Sequence, residues 1–153
     1  MRKKNNKAYK PHTWEHNPNY KSNHYTPMYD SMIYSPAWLA LSNSAQRQYI
    51  LIKSQYKGGY QQTDGNGNAM VKCPYKDMMQ AGIKSNETIS ENCRQLEAFG
   101  FLTITGGGHR VASEYKFSNK WQNITGAEAK KIKAQLQADK QGREQKAKEK
   151  KRP

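Results

Sequence analysis

Residues 83–121 read IKSNETISENCRQLEAFGFLTITGGGHRVASEYKFSNKW. Ser85 stands where a helix N-cap belongs, because its short side chain can accept from an amide of the first turn. Beyond it Ile89, Cys93, Leu96 and Phe99 recur at steps of 4, 3 and 3, which is one apolar stripe of an α-helix over 85–99. Gly100 ends that helix. Phe101 to Thr105 is aromatic and β-branched, as strands prefer. Gly106-Gly107-Gly108 with His109 and Arg110 forms a flexible tip. From Ser113 to Ser118 the chain alternates, with Tyr115 and Phe117 on one face and Lys116 and Ser118 on the other. Trp121 closes the segment.

Upstream, Pro74 to Ala81 reads as a short helix with Tyr75, Met78 and Met79 facing inward. Gly82 ends it and Ile83-Lys84 makes a tight turn into the 85–99 helix. Ala69 to Lys72 can be a short strand. Before it, Asp64-Gly65 and Asn66-Gly67 mark a loop. Leu41, Ala45, Tyr49, Ile52 and Tyr56 recur at steps of 4, 4, 3 and 4. They predict a longer helix that Ser42 or Ser44 caps and Gly58-Gly59 stops. Ser35-Pro36-Ala37-Trp38-Leu39 opens a short helix in front of it, with Pro where a first turn accepts it. The order is helix, strand, short helix, tight turn, capped helix, strand, tip, strand. The fold class this predicts is α+β, mainly α. Within it, residues 31–121 form a winged helix-turn-helix with a two-stranded wing. The apolar stripe of the second helix faces the core, and its opposite face is free to enter a groove ~12 Å wide.

The chain has 153 residues, enough for one domain with tails. Only 35% of them are apolar and the mean hydropathy is −1.12, so the whole length cannot fill one core. Lys and Arg number 26 against 12 Asp and Glu, a net charge of +14. Residues 1–30 hold six basic and two acidic side chains, residues 31–121 ten and six, residues 122–153 ten and four. Most of the excess therefore lies outside the segment that can fold, and it points to a polyanionic partner. Residues 1–30 read as a disordered basic arm whose Tyr9, Lys10, Tyr20 and Lys21 suit stacking on bases and neutralising phosphates. Residues 122–153 read as a basic tail. Thr125 and Glu128 can form a capping box at the start of a helix whose only large aliphatics are Ile132 and Leu136, and the helix is expected to fray beyond them. No apolar run approaches the ~20 residues of a membrane span, and no secretory signal is read at the start. The expectation is a soluble, cytoplasmic protein.

Cys73 and Cys93 are too few for a disulfide framework or a Cys₄ zinc site and read as small buried hydrophobes. No Walker sequence, metal cluster or catalytic triad pattern occurs. The sequence predicts no enzyme, no cofactor and no metal.

Several stretches resemble small winged-helix proteins of bacterial phages, plasmids and integrated elements, including ones similar to the winged-helix domains of replication initiators. They are Ser35-Pro36-Ala37-Trp38 with Leu41-Ser42 and Ala45, Thr88-Ile89, Leu96-Glu97, Gly100-Phe101, the glycines at 106–108, and Tyr115-x-Phe117-Ser118-x-x-Trp121. The resemblance covers roughly residues 24–122. It implies a DNA-binding protein of a mobile element, in transcription regulation or replication, with a recognition helix at 85–99 and a wing at 103–116.

The residues expected to touch DNA follow from that placement. Lys84, Ser85 and Asn86 sit at a helix start, which suits phosphates. Asn86, Ser90 and Arg94 can read base edges, Asn on adenine and Arg on guanine, and Glu87 can accept from cytosine. His109 and Arg110 lie at the wing tip, and Lys116 on the exposed side of its strand. Arg47, Lys53 and Lys57 are expected on the solvated side of the longer helix. Glu87, Glu91 and Glu97 against a single Arg94 make the recognition helix unusually acidic. Two other readings stay open for that reason: a protein-interaction adaptor or host-machinery antagonist that uses the acidic face, and an RNA-binding basic protein that uses the tails. Double-stranded DNA is the partner expected first. A homodimer and a host or element protein are further partners the sequence allows, and no membrane is expected.

Overall fold

A computed structural model describes residues 12, 14–19, 21, 24–58, 62–63, 66–106 and 112–152. Along them run α1 (Asp30–Ile33), α2 (Pro36–Ala40), α3 (Asn43–Ser54), β1 (Met70–Lys72), α4 (Tyr75–Gln80), α5 (Asn86–Ala98), β2 (Leu102–Thr105), β3 (Glu114–Phe117), a 3-10 turn (Lys120–Asn123) and α6 (Gly126–Lys150). The architecture is α+β and mainly helical. Its one sheet is antiparallel, in the order β1-β3-β2.

The helix boundaries sit where the capping chemistry puts them. Ser35 accepts from the Trp38 amide ahead of Pro36, Ser42 from Ala45 and Ser85 from Thr88, at 3.1, 3.2 and 3.2 Å. At the far ends two glycines do the same work twice. The Ile83 amide donates to Met78 O and the Gly82 amide to Met79 O, while Phe101 donates to Leu96 O and Gly100 to Glu97 O, all at 2.9–3.0 Å. Both are Schellman motifs, which need a left-handed residue. Gly82 supplies φ +97° and Gly100 φ +75°. The first sets the α4–α5 turn and the second turns the chain from α5 into β2.

Helix stripes and sheet close on one aromatic centre. Trp38 meets Tyr49 and Phe101 edge-on at 5.7 and 5.6 Å between centroids, and Phe101 stacks on Trp121 at 5.8 Å. Such edge and offset contacts are the favoured geometries of ring quadrupoles. Ile89, Leu96 and Phe99 of the α5 stripe are fully buried, as are Ala45 and Ile52 of α3.

Four features differ from the sequence expectation. Met79 is 44% exposed, while Met78 is fully buried. Neighbours on a helix point about 100° apart, and on this six-residue helix the core takes Met78 and leaves Met79 on the outer side. The ribbon has three strands rather than two. β1 adds to the free edge of β3 with Val71 opposite Tyr115, so β3 is central and its Tyr115 lies fully buried between Val71 and Ile104. Arg47 is not simply solvated, because its guanidinium donates to Ala81 O at 2.6 Å, and Lys53 donates to Pro27 O. The last difference is α6, which is one helix of 25 residues. Thr125 and Glu128 form the expected capping box, with bonds of 2.8 and 3.3 Å. Ala129, Ile132 and Leu136 dock on the body, and beyond them the Ala, Gln, Lys and Glu residues are strong helix formers. Among the described residues no helix is long and apolar enough to cross a membrane.

Burial pushes the Cys73 thiol up to about 11 and raises that of Cys93 as well. At pH 8 both are protonated and enclosed, so a thiol-reactive dye should label neither until denaturant is added. Native labelling at the rate of a free thiol would contradict this packing. A Cβ on Gly100 would lie 2.7 Å from Lys120 Cβ and 2.8 Å from the Trp121 amide. Gly100→Ala combines a left-handed alanine with overpacking and should cost about 2–4 kcal/mol, read as a lower denaturation midpoint at unchanged m-value.

Candidate nucleic-acid interface

The α4–turn–α5 unit carries the candidate site, and buried polar contacts hold α5 in place. Asn92 of α5 and Gln48 of α3 are 2% and 0% exposed. Asn92 Nδ2 donates to Gln48 Oε1 at 2.9 Å and to Ser44 Oγ at 2.8 Å. Gln48 Nε2 in turn donates to Ile89 O at 3.2 Å. Gln95 Oε1 accepts from the Ser42 amide at 2.9 Å, tying the same face of α5 to the start of α3. These bonds are directional, so they fix the rotation of α5 about its own axis where the apolar stripe alone leaves latitude. That rotation decides which side chains point outward.

Lys84, Asn86, Glu87 and Arg94 are exposed. Ser85 is half-buried, and its hydroxyl accepts from the Thr88 amide and lies 3.0 Å from Thr88 Oγ1. Ser90 is also half-buried, 3.4 Å from the Tyr75 hydroxyl, so it faces α4. Lys116 stands on the outer face of the sheet between Met70 and Thr103. It lines an open depression of about 820 Å³ with Lys53, Tyr29 and Trp121, to which neither α4 nor α5 contributes. Lys116 is therefore not grouped with Lys84 and Asn86. His109 and Arg110 lie outside the described residues.

The three glutamates of α5 have separate fates. Glu97 Oε1 accepts from the Ile104 amide at 2.9 Å and so fastens β2 to the helix. Glu91 receives Arg94 Nη1 at 2.8 Å and Arg143 Nη2 of α6 at 2.9 Å. Glu87 alone points outward without a salt bridge among the described residues. Of this acidity, Glu91 is ion-paired within the chain and Glu97 is held by a backbone amide. Arg94 keeps 43% of its side chain exposed, and a guanidinium with five donors has most of them left for another acceptor.

α6 runs antiparallel along one flank of α5. Leu136 and Gln137 share a depression with Gln95 and Phe99, Arg143 bonds Glu91, and Ala147 shares a groove with Glu87 and Thr88. That groove has a volume of about 580 Å³. α6 runs along the Glu87–Glu91–Gln95 flank and leaves the side carrying Asn86 and Arg94 open. Sequence reasoning missed Arg143, Gln48 and Asn92. The stripe Ala129, Ile132, Leu136, Lys140, Arg143 does keep helical spacing, but its last two members are cations.

The amide cluster makes a measurable claim. Asn92→Leu leaves Gln48 with an unpaired buried carbonyl and should cost about 1–3 kcal/mol, whereas adding Gln48→Met removes both partners and should recover part of that loss. A double-mutant cycle on unfolding free energies checks it, and additive losses would mean that the two amides do not work as a unit. No protein-family model matches this chain, and no curated protein or solved structure matches it significantly.

Proposed function

We propose that this chain binds double-stranded DNA in a sequence-specific manner, as a winged-helix protein whose α5 enters the major groove. The observation that carries the reading is the exposed set of Lys84 and Asn86 at the start of α5 and Arg94 two turns further on, on a helix whose rotation buried amides fix. Asn and Arg are the residues that pair bidentately with adenine and guanine, and Lys84 beside a helix N-terminus suits a phosphate. Support also comes from the order of elements, with one strand before the helix pair and two after it, and from the net charge of +14. The resemblance of residues 24–122 suggests the setting, a regulator or replication-associated protein of a mobile element. An adaptor working through an acidic helix face is less well supported, because Glu91 and Glu97 are engaged within the chain and Glu87 is left alone.

Selection of bound duplexes from a random pool, followed by affinity measurement across salt concentrations, tests the proposal. Asn86→Ala and Arg94→Ala should each lose about 1–3 kcal/mol on the selected site and relax base preference there. Lys84→Gln should weaken all duplexes alike and lower the salt slope by about 0.9. Enrichment of no sequence, or tighter binding to structured RNA at matched salt, would overturn it.

A further inference from the structure

α5 and α6 lie side by side, and each helix with its side chains is about 10–12 Å across. A major groove is ~12 Å wide and admits one of them. If α5 enters, the element on its flank must meet the sugar-phosphate strand that walls the groove. The residues α6 brings there decide whether that meeting is favourable.

Between positions 140 and 150, the C-terminal half of α6, the sequence has five basic and two acidic residues. The antiparallel alignment sets this half of α6 along the first half of α5. Arg143 stands at Glu91 and Ala147 at Glu87, so the last turn of α6 reaches the level of Ser85 and Lys84. Lys146 and Lys150 follow Arg143 at i+3 and i+7 and share its side of the helix. The N-terminal half of α6 carries Lys130, Lys131 and Lys133, but it packs against α2, at the other end of α5. The charge of α6 is therefore arranged by position. One end stands beside the exposed start of α5 and the other stands away from it.

The pin between the helices is Glu91. Its carboxylate holds Arg94 of α5 and Arg143 of α6 together, with 43% and 38% of those side chains exposed. One carboxylate between two guanidiniums leaves a net positive pair facing outward, and their remaining N–H groups can still donate.

We infer that the C-terminal half of α6 is a second DNA-contacting element. It is a cationic rail that takes the phosphate strand beside the groove α5 enters, and Glu91 positions it by holding Arg143. This rests on the reading of α5 as the groove-entering helix. In it Glu91 is a positioning residue, and Lys140, Lys146 and Lys150 serve phosphates.

The test removes the same charge from the two ends of one helix. In the full chain, Lys146→Gln with Lys150→Gln is compared with Lys130→Gln with Lys131→Gln, on a duplex recovered from the random pool. Gln is a comparable helix former, and thermal melts check that both variants fold. The distal pair should lower the salt slope by about 0.9 for each phosphate no longer neutralised and weaken binding at physiological salt, while the proximal pair leaves the slope unchanged. Equal losses from both pairs would show that bulk charge acts and not a placed rail, which overturns the inference. Tighter binding from the distal pair would make α6 an obstacle and overturns it too. Unchanged binding in both variants, with the wild type still bound, removes the rail and leaves the groove-entering α5 standing. Failure of the wild type to bind any duplex removes both.

Discussion

The arrangement depends on one buried contact, the paired amides of Gln48 and Asn92 between α3 and α5. An apolar stripe four residues wide tolerates some rotation and sliding, since methyl groups have no preferred partner direction. Two primary amides shut away from water have strict ones, and a helix turned by even a fraction of a step leaves a donor or acceptor unpaired. The Ser42–Gln95 bond repeats the constraint about one turn further on. The outward direction of Asn86 and Arg94 is thus a consequence of polar groups that face the other way.

A second constraint works from the ends of α5. Ser85 caps one end and Gly100 the other, and both ends bend into elements that the proposed function needs, the Lys84 turn and strand β2. Glu97 belongs to this second set. By accepting from the Ile104 amide it fixes where the sheet leaves the helix.

Charge is handled in the same way, by pairing across elements. In sequence the acidic residues of α5 look out of place beside a polyanion. In the fold, Glu91 joins two arginines from two helices, and Glu97, though exposed, accepts a backbone amide of β2. The basic excess of the last thirty residues, which composition alone suggests is a loose tail, stands in a single helix docked along α5.

The sequence by itself determined the elements whose signals are local. Ser85 and Thr125 are caps because an N-cap needs only its own first turn, and the structure chooses Ser42 over Ser44 and adds Ser35. Gly82 and Gly100 end helices because only glycine takes a left-handed φ without strain. The core stripes of α3 and α5 were legible for the same reason, as 3.6-residue periodicity needs no knowledge of the partner. The pairing of β1, itself predicted as a strand, with the free edge of β3, the inward turn of Gln48 and Asn92, the exposure of Met79 and the docked length of α6 come only with the tertiary structure. Each depends on a partner far along the chain: β1 on β3, Asn92 on Gln48, Arg143 on Glu91. A polar residue looks the same in sequence whether it faces water or another polar residue, and only the fold supplies the second.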